Sequence, residues 1–233
     1  MTDTGSSSNA CGRVIASDTI LGGMLRRDAI RSGAAVALTG VAGCVGGDGG
    51  PAFTEGFEDG IGDWEAGAAI GPEVDLAEFE WELDVSDAEA AAGERSLRIW
   101  NEGDYDDGVT WAVHPVAIEP GRAYRIEVSG RFWSESESFN TIRHALMRLA
   151  PESPATEEDF PQPGLDTTDL GETPYGGLRE PLWLADGWRG YAFEWTTPEL
   201  STDTLHLAVG TAVIWEADAT HSVDDLSVSV ESR

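Results

Sequence analysis

Two tryptophan–arginine pairs carry the chemistry most open to a ligand. Arg98 and Trp100 lie in Ser96-Leu97-Arg98-Ile99-Trp100, and Arg131 and Trp133 flank Phe132. In both stretches apolar and polar residues alternate, and the two pairs take the parity opposite to the apolar positions. A flat indole on a sheet face stacks on the face of a pyranose ring, and a neighbouring guanidinium reads hydroxyl groups; together they make a sugar-binding surface. The alternative is that a crossing segment, for example residues 151–182, covers both rings as a satellite core. Trp81, Trp111 and Trp195 share parity with their apolar neighbours and read as packing residues. Trp183 and Trp188 flank the Asp186-Gly187 turn, where they could line a site at a loop edge.

Signatures of catalysis are missing. The chain has no G-x-S-x-G, no H-E-x-x-H and no phosphate-binding loop. His114, His144, His206 and His221 are scattered singly, the usual pattern of structural histidines. Asp104-Tyr105-Asp106-Asp107-Gly108 imitates the start of a calcium loop, but its glycine falls one place early and Pro115 stands where the closing Glu belongs. The chain therefore reads as a binding protein rather than an enzyme.

The elements that must hold these residues are strands. Period-2 alternation runs through 79–85, 109–113, 124–133, 191–195, 205–209 and 226–230, and no helical period lasts beyond two turns. Glu119-Pro120-Gly121, Ala92-Gly93-Glu94 and Ala185-Asp186-Gly187 supply turns between them. Eight to ten short strands at this spacing predict an all-β, two-sheet sandwich of jelly-roll type. The proline-rich, acidic segment 151–182 is long for a connection in a compact domain, which marks it as either functional or disordered.

Ahead of the strands, Leu25-Arg26-Arg27-Asp28-Ala29-Ile30-Arg31 is a basic patch followed by the short apolar run 32–43 and Val41-Ala42-Gly43-Cys44. The run is too short and too rich in Gly and Ala to span a bilayer. The set resembles a twin-arginine lipoprotein signal, with Arg26 and Arg27 as the export pair and Cys44 as the lipidated residue. The resemblance implies a chain of three parts. Residues 1–43 are an N-terminal extension and signal, with Met24 as an alternative start; 44–51 are the lipidated cysteine and a Gly-rich tether; 52–233 are the folded domain. It also implies a protein held by lipid against the outer face of the cell membrane.

Composition narrows the partners. The 233 residues include 43 acidic and 14 basic side chains, a net charge of −29, and all 14 basic residues are arginine. Beyond residue 43 there remain 40 acidic and ten basic residues. That excess opposes nucleic acid and anionic lipid, which need a basic footprint. Nine tryptophans and 41% hydrophobic residues provide for a packed core, so the acidity is a surface property. A lysine-free acidic surface resembles adaptation to molar salt, where the Debye length is about 3 Å or less and self-repulsion is screened. Cys11 and Cys44 are the only cysteines, so no disulfide staples the domain.

The domain resembles galactose-binding-like jelly rolls, including carbohydrate-binding modules. Phe57-Glu58-Asp59-Gly60 with Trp64 is similar to their opening strand. Gly93-Glu94-Arg95-Ser96-Leu97, Ile118 to Tyr124 and Trp188-Arg189-Gly190-Tyr191 are similar to internal strands, and Val223-Asp224-Asp225-Leu226 to the closing one. The resemblance implies a structural calcium ion held by Glu58 and Asp224, with Asp225 as second choice, and no organic cofactor. Asp224 is preferred because it shares parity with Leu226 and Val228, and a carboxylate on a core face needs a partner or a cation. It also implies a polysaccharide or glycoprotein glycan as partner. An envelope protein of the same fold without sugar affinity, and a surface hydrolase, are the alternatives.

Overall fold

The computed structural model describes residues 52–105, 107–136, 142–182, 187–214 and 218–233. Arg26, Arg27, Cys44 and Trp183 lie outside the described residues. Among the described residues eleven strands, against the eight to ten expected, form the two antiparallel sheets that the alternation predicts. The first sheet runs β3(Trp81–Ser86)-β4(Ser96–Asn101)-β11(Ala219–Ser232)-β6(Tyr124–Ser134)-β9(Arg189–Thr196), with β1(Phe53–Glu55) also paired to β11. The second runs β2(Glu65–Ala69)-β5(Gly108–Ala117)-β10(Thr204–Ile214)-β7(Ile142–Ala150)-β8(Gly176–Pro181). From β4 to β11 the chain passes between the sheets at every step except β7 to β8, which pair within the second sheet, so strands distant in sequence become neighbours.

Between the sheets lies the main core. Leu97, Ile99, Ile126, Val128, Phe132, Phe193, Trp195, Val223 and Leu226 of the first sheet meet Ala112, Val116, Met147, Leu149, Leu205 and Leu207 of the second. Of the three sequence turns, Gly93 and Gly121 have φ of 64 and 76°, as turn glycines do; Gly187 has φ 79°, while Ala185 and Asp186 before it lie outside the described residues. Gly93 is constrained twice, because a Cβ there would also collide with the Glu58 carboxylate. At the β5–β6 turn, Tyr124 donates its hydroxyl to the Glu119 carbonyl at 2.6 Å, and the Glu119 N–H donates back at 3.0 Å.

Three expectations change. Val109, Trp111 and Val113 do not face the main core. They form a second cluster with Leu146, Phe160 and Ala208 on the outer side of the second sheet, while Ala112 and Val116 of the same strand face inward. Both faces of β5 are buried, so parity alone could not say which was the core side. Second, Asp224 does not follow the parity of Leu226. A bulge between Asp224 and Ser227, with Asp225 at φ 52°, shifts the register, and Asp224 stands opposite the exposed Arg131. Third, the strand in the opening motif is Phe53–Glu55, and Phe57 follows it at φ 57° with its ring fully buried.

Candidate functional site

Segment 151–175 settles which sheet face is open. It crosses the second sheet and packs Phe160, 1% exposed, edge-on against Trp111 with ring centroids 5.2 Å apart. The Trp111 indole lies close over Gly67, where a Cβ would sit 2.5 Å from the ring, and on β10 a Cβ at Gly210 would collide with the Thr110 carbonyl and the Trp111 Cα. The segment is tied down along its length. Arg179, buried on β8, pairs with Glu157 at 2.9 Å, and Arg148 donates to the Glu152 carbonyl at 2.6 Å. Thr167 and Leu165 exchange backbone hydrogen bonds with Gly177 and Arg179, and the Trp195 indole N–H donates to the Thr173 carbonyl at 3.0 Å. This long connection is a structural strap, and its last residues, 176–181, are strand β8 rather than loop.

The strap does not cover Trp100 or Trp133. Both are half-buried on the outer face of the first sheet. Strand pairing shows how they are set. Asp84, Arg98, Ser222 and Trp133 are register partners in turn across β3, β4, β11 and β6. One row away, Glu82, Trp100 and Thr220 align. The two tryptophans thus flank β11, two interstrand spacings or roughly 10 Å apart across the sheet. The structure therefore brings Arg98, Trp100, Arg131 and Trp133 onto one face.

The two arginines differ in what they are free to do. Arg98 donates to Asp84 Oδ1 and Glu82 Oε2, both at 2.7 Å, and these carboxylates hold its guanidinium firmly protonated. Arg131 is exposed and has no ion pair among the described residues. It borders a shallow depression of about 250 Å³ that Ser129, Gly190, Ala192 and Asp225 also line. Ser129 and Ala192 lie in no sequence motif, and their only signal is the absence of bulk at outward positions of β6 and β9. Gly190 and Asp225 fall within the stretches that carry the fold resemblance, which says nothing of this depression.

The carboxylates that the fold resemblance assigns to calcium are engaged otherwise. Asp224, fully buried, accepts at Oδ2 from the N–H groups of Ala91 and Ala92 at 2.8 and 3.0 Å, and at Oδ1 from Asp225 N–H at 2.6 Å. Burial raises its pKa against the pull of those three bonds. Glu58 Oε1 accepts from Glu94 and Arg95 N–H at 2.8 and 3.1 Å. Calcium needs six to eight oxygen ligands, and N–H groups aimed at a carboxylate take the lone pairs a cation would use. Among the described residues no group of three or more His, Cys, Asp or Glu could hold a metal. As arranged, Glu58 and Asp224 clamp the 91–95 loop through hydrogen bonds, and Asp225 is exposed in the bulge. The arrangement does not fit a calcium site.

Burial depresses three of the histidines. His144, on the strap-covered face, is pushed down to about 4 by burial and then by the charge of Arg179. His221, inside the main sandwich, is lowered well below its ordinary value by burial and then by Arg143. His114 stacks on Phe53 with centroids 4.6 Å apart, and burial lowers it too.

No family model matches the sequence, and no curated protein matches it. Among solved structures, the chain is similar to TmCBM61 in complex with β-1,4-galactotriose, at 15% identity and a TM-score of 0.44, covering 76% of this chain and 94% of that one. It is similar to the CBM22-1 xylan-binding domain from Paenibacillus barcinonensis Xyn10C, at 15% identity and a TM-score of 0.45, covering 78% and 95%. A CBM4 structure matches at 13% identity and a TM-score of 0.44, covering 75% and 91%.

Proposed function

We propose that this protein is a binding module that holds carbohydrate on the open outer face of its six-stranded sheet. One observation carries the reading. The outer face of one sheet is covered by its own strap, whereas on the other Trp100 and Trp133 stay half-exposed beside Arg98 and Arg131. Half-exposed indoles are costly to hydrate, and their faces suit the C–H face of a sugar ring. Arg98, fixed by two carboxylates, serves as a rigid border; Arg131 is the free donor. The partner is a polysaccharide or glycoprotein glycan. Export by the Arg26-Arg27 signal and lipid on Cys44 would place the module outside the cell, tethered through 44–51 to the membrane. In this reading Asp224 serves the fold through its three N–H donors rather than through a metal.

The test is affinity electrophoresis of the 52–233 protein through gels containing soluble polysaccharides, in molar salt. Retardation by at least one polymer, lost in Trp100→Ala and Trp133→Ala, is the expected result. Migration unchanged in every polymer would leave an envelope protein without sugar affinity. The anchor is tested separately, by mass spectrometry of Cys44 in the membrane fraction, where an unmodified thiol would contradict it.

A further inference from the structure

The outer face of the first sheet carries more than aromatic rings. One row crosses four strands: Thr54 of β1, Ser227 of β11, Ser129 of β6 and Ala192 of β9 are register partners in turn. All four side chains are small, so this row is a shallow floor about 14 Å wide, running across the strands. The next row brings Asp224, Arg131 and Gly190 together, and the row after that brings Trp133. A chain of sugar rings lying along the floor would meet Arg131 before it met any other cation of these rows.

Arg131 keeps its charge available for a specific reason. Its register neighbour is a carboxylate, Asp224, which would ordinarily neutralise it across the strands. Both oxygens of Asp224 are instead committed to the N–H groups of Ala91, Ala92 and Asp225. Elsewhere on this sheet face the arginines are taken: Arg98 by Glu82 and Asp84, Arg125 by Glu194 at 2.6 Å. In a chain with 43 acidic residues, an exposed guanidinium whose register carboxylate accepts from backbone N–H groups instead keeps its own N–H donors for an external anion, which would bind them against the exposed Asp225 on the rim of the same depression. A planar guanidinium matches a carboxylate or sulfate bidentately, better than it matches a lone hydroxyl.

We propose that Arg131 selects anionic glycans, those bearing uronate carboxylates or sulfate esters, laid across the strands on the Thr54–Ala192 floor. The proposal rests on the carbohydrate reading above and narrows it. The experiment is isothermal titration with polygalacturonate, alginate and a sulfated galactan, each beside its carboxyl-reduced or desulfated counterpart, for wild type, Arg131→Gln, Arg131→Lys and Trp133→Ala. At least one anionic polymer should bind about tenfold or more tighter than its neutral counterpart, the worth of one charge-assisted contact. Arg131→Gln should bring each anionic polymer to the affinity of its neutral counterpart measured with the same variant, and Arg131→Lys should restore part of the preference. Equal affinity within every pair, or a preference untouched in Arg131→Gln, would overturn the role of Arg131 and leave carbohydrate binding standing. No heat with any polymer, neutral or charged, would overturn both.

Discussion

The two outer faces of this sandwich start from similar material and end differently. Each presents tryptophan and arginine: Trp111, Arg148 and Arg179 on the second sheet, Trp100, Trp133, Arg98 and Arg131 on the first. On the second sheet the chain folds back on itself. Phe160 covers Trp111, Glu157 pairs with Arg179, and the Glu152 carbonyl takes Arg148. Trp111, Arg148 and Arg179 thus each have an inside partner. On the first sheet the hairpin 87–95 is drawn to Asp224 and Glu58, and the rings of Trp100 and Trp133 remain half-open. Identical residue types therefore serve packing on one side and stay half-exposed on the other, where the proposed function puts recognition, decided by where one long connection travels.

Breaking the sealed side should cost most. Phe160→Ala removes a fully buried ring from the second cluster and should destabilise the domain by about 3–5 kcal/mol, read from urea unfolding. A change below about 1 kcal/mol would mean that the strap does not seal the face.

Asp224→Ala comes next. It strands two loop N–H groups and a bulge N–H, and a loss of about 3 kcal/mol is expected. The same unfolding curve should not move when a chelator is added to wild type. A chelator-induced drop in Tm that disappears in the variant would restore calcium to Asp224.

Acid should weaken the protein through its histidines. His221 and His144 have folded pKa values below the unfolded value of about 6.5, so the unfolded chain binds more protons in that range. Their contribution is intact above pH 6.5 and falls as the pH drops toward 4. Asp224, with its raised pKa, pulls the other way within the carboxylate range. Denaturation midpoints at pH 7.5 and 5 should differ in that direction, and His144→Gln and His221→Gln should each flatten the slope. A slope unchanged in both variants would assign the acid sensitivity elsewhere.

Arg98→Gln is the mildest change. Its partners Glu82 and Asp84 are largely exposed, so the loss should stay within about 1 kcal/mol. Its effect on glycan binding should be smaller than that of Arg131→Gln, since Arg98 is already paired.

Much of this comparison was legible before any coordinates. Strands with one wet face, such as β6 and β9, announce themselves by alternation, and the off-core parity of Trp100 and Trp133 placed both rings on the correct side. Strands buried on both faces do not alternate. β7, Ile142–Ala150, is rich in Ala, Leu, Met and Arg, residues that favour helix, and only its place between β10 and β8 makes it a strand. For the same reason Trp111 was assigned to the wrong core. The parity argument for Asp224 failed at a single bulge residue, Asp225, whose left-handed backbone has no reliable signature for a non-glycine residue. That Arg131 is free while Arg98 is bound depends on which carboxylates accept backbone N–H groups, and that is set by tertiary contacts far apart in sequence.

The most direct test of the account is glycan binding by the Trp100→Ala/Trp133→Ala double variant, measured by titration calorimetry beside its denaturation midpoint. The account predicts a binding loss of at least tenfold with stability changed by no more than about 1 kcal/mol, because both rings are half-exposed rather than core. Retained affinity in that variant, with Trp111→Ala or Phe160→Ala abolishing it instead, would put the binding face on the other sheet and contradict the account.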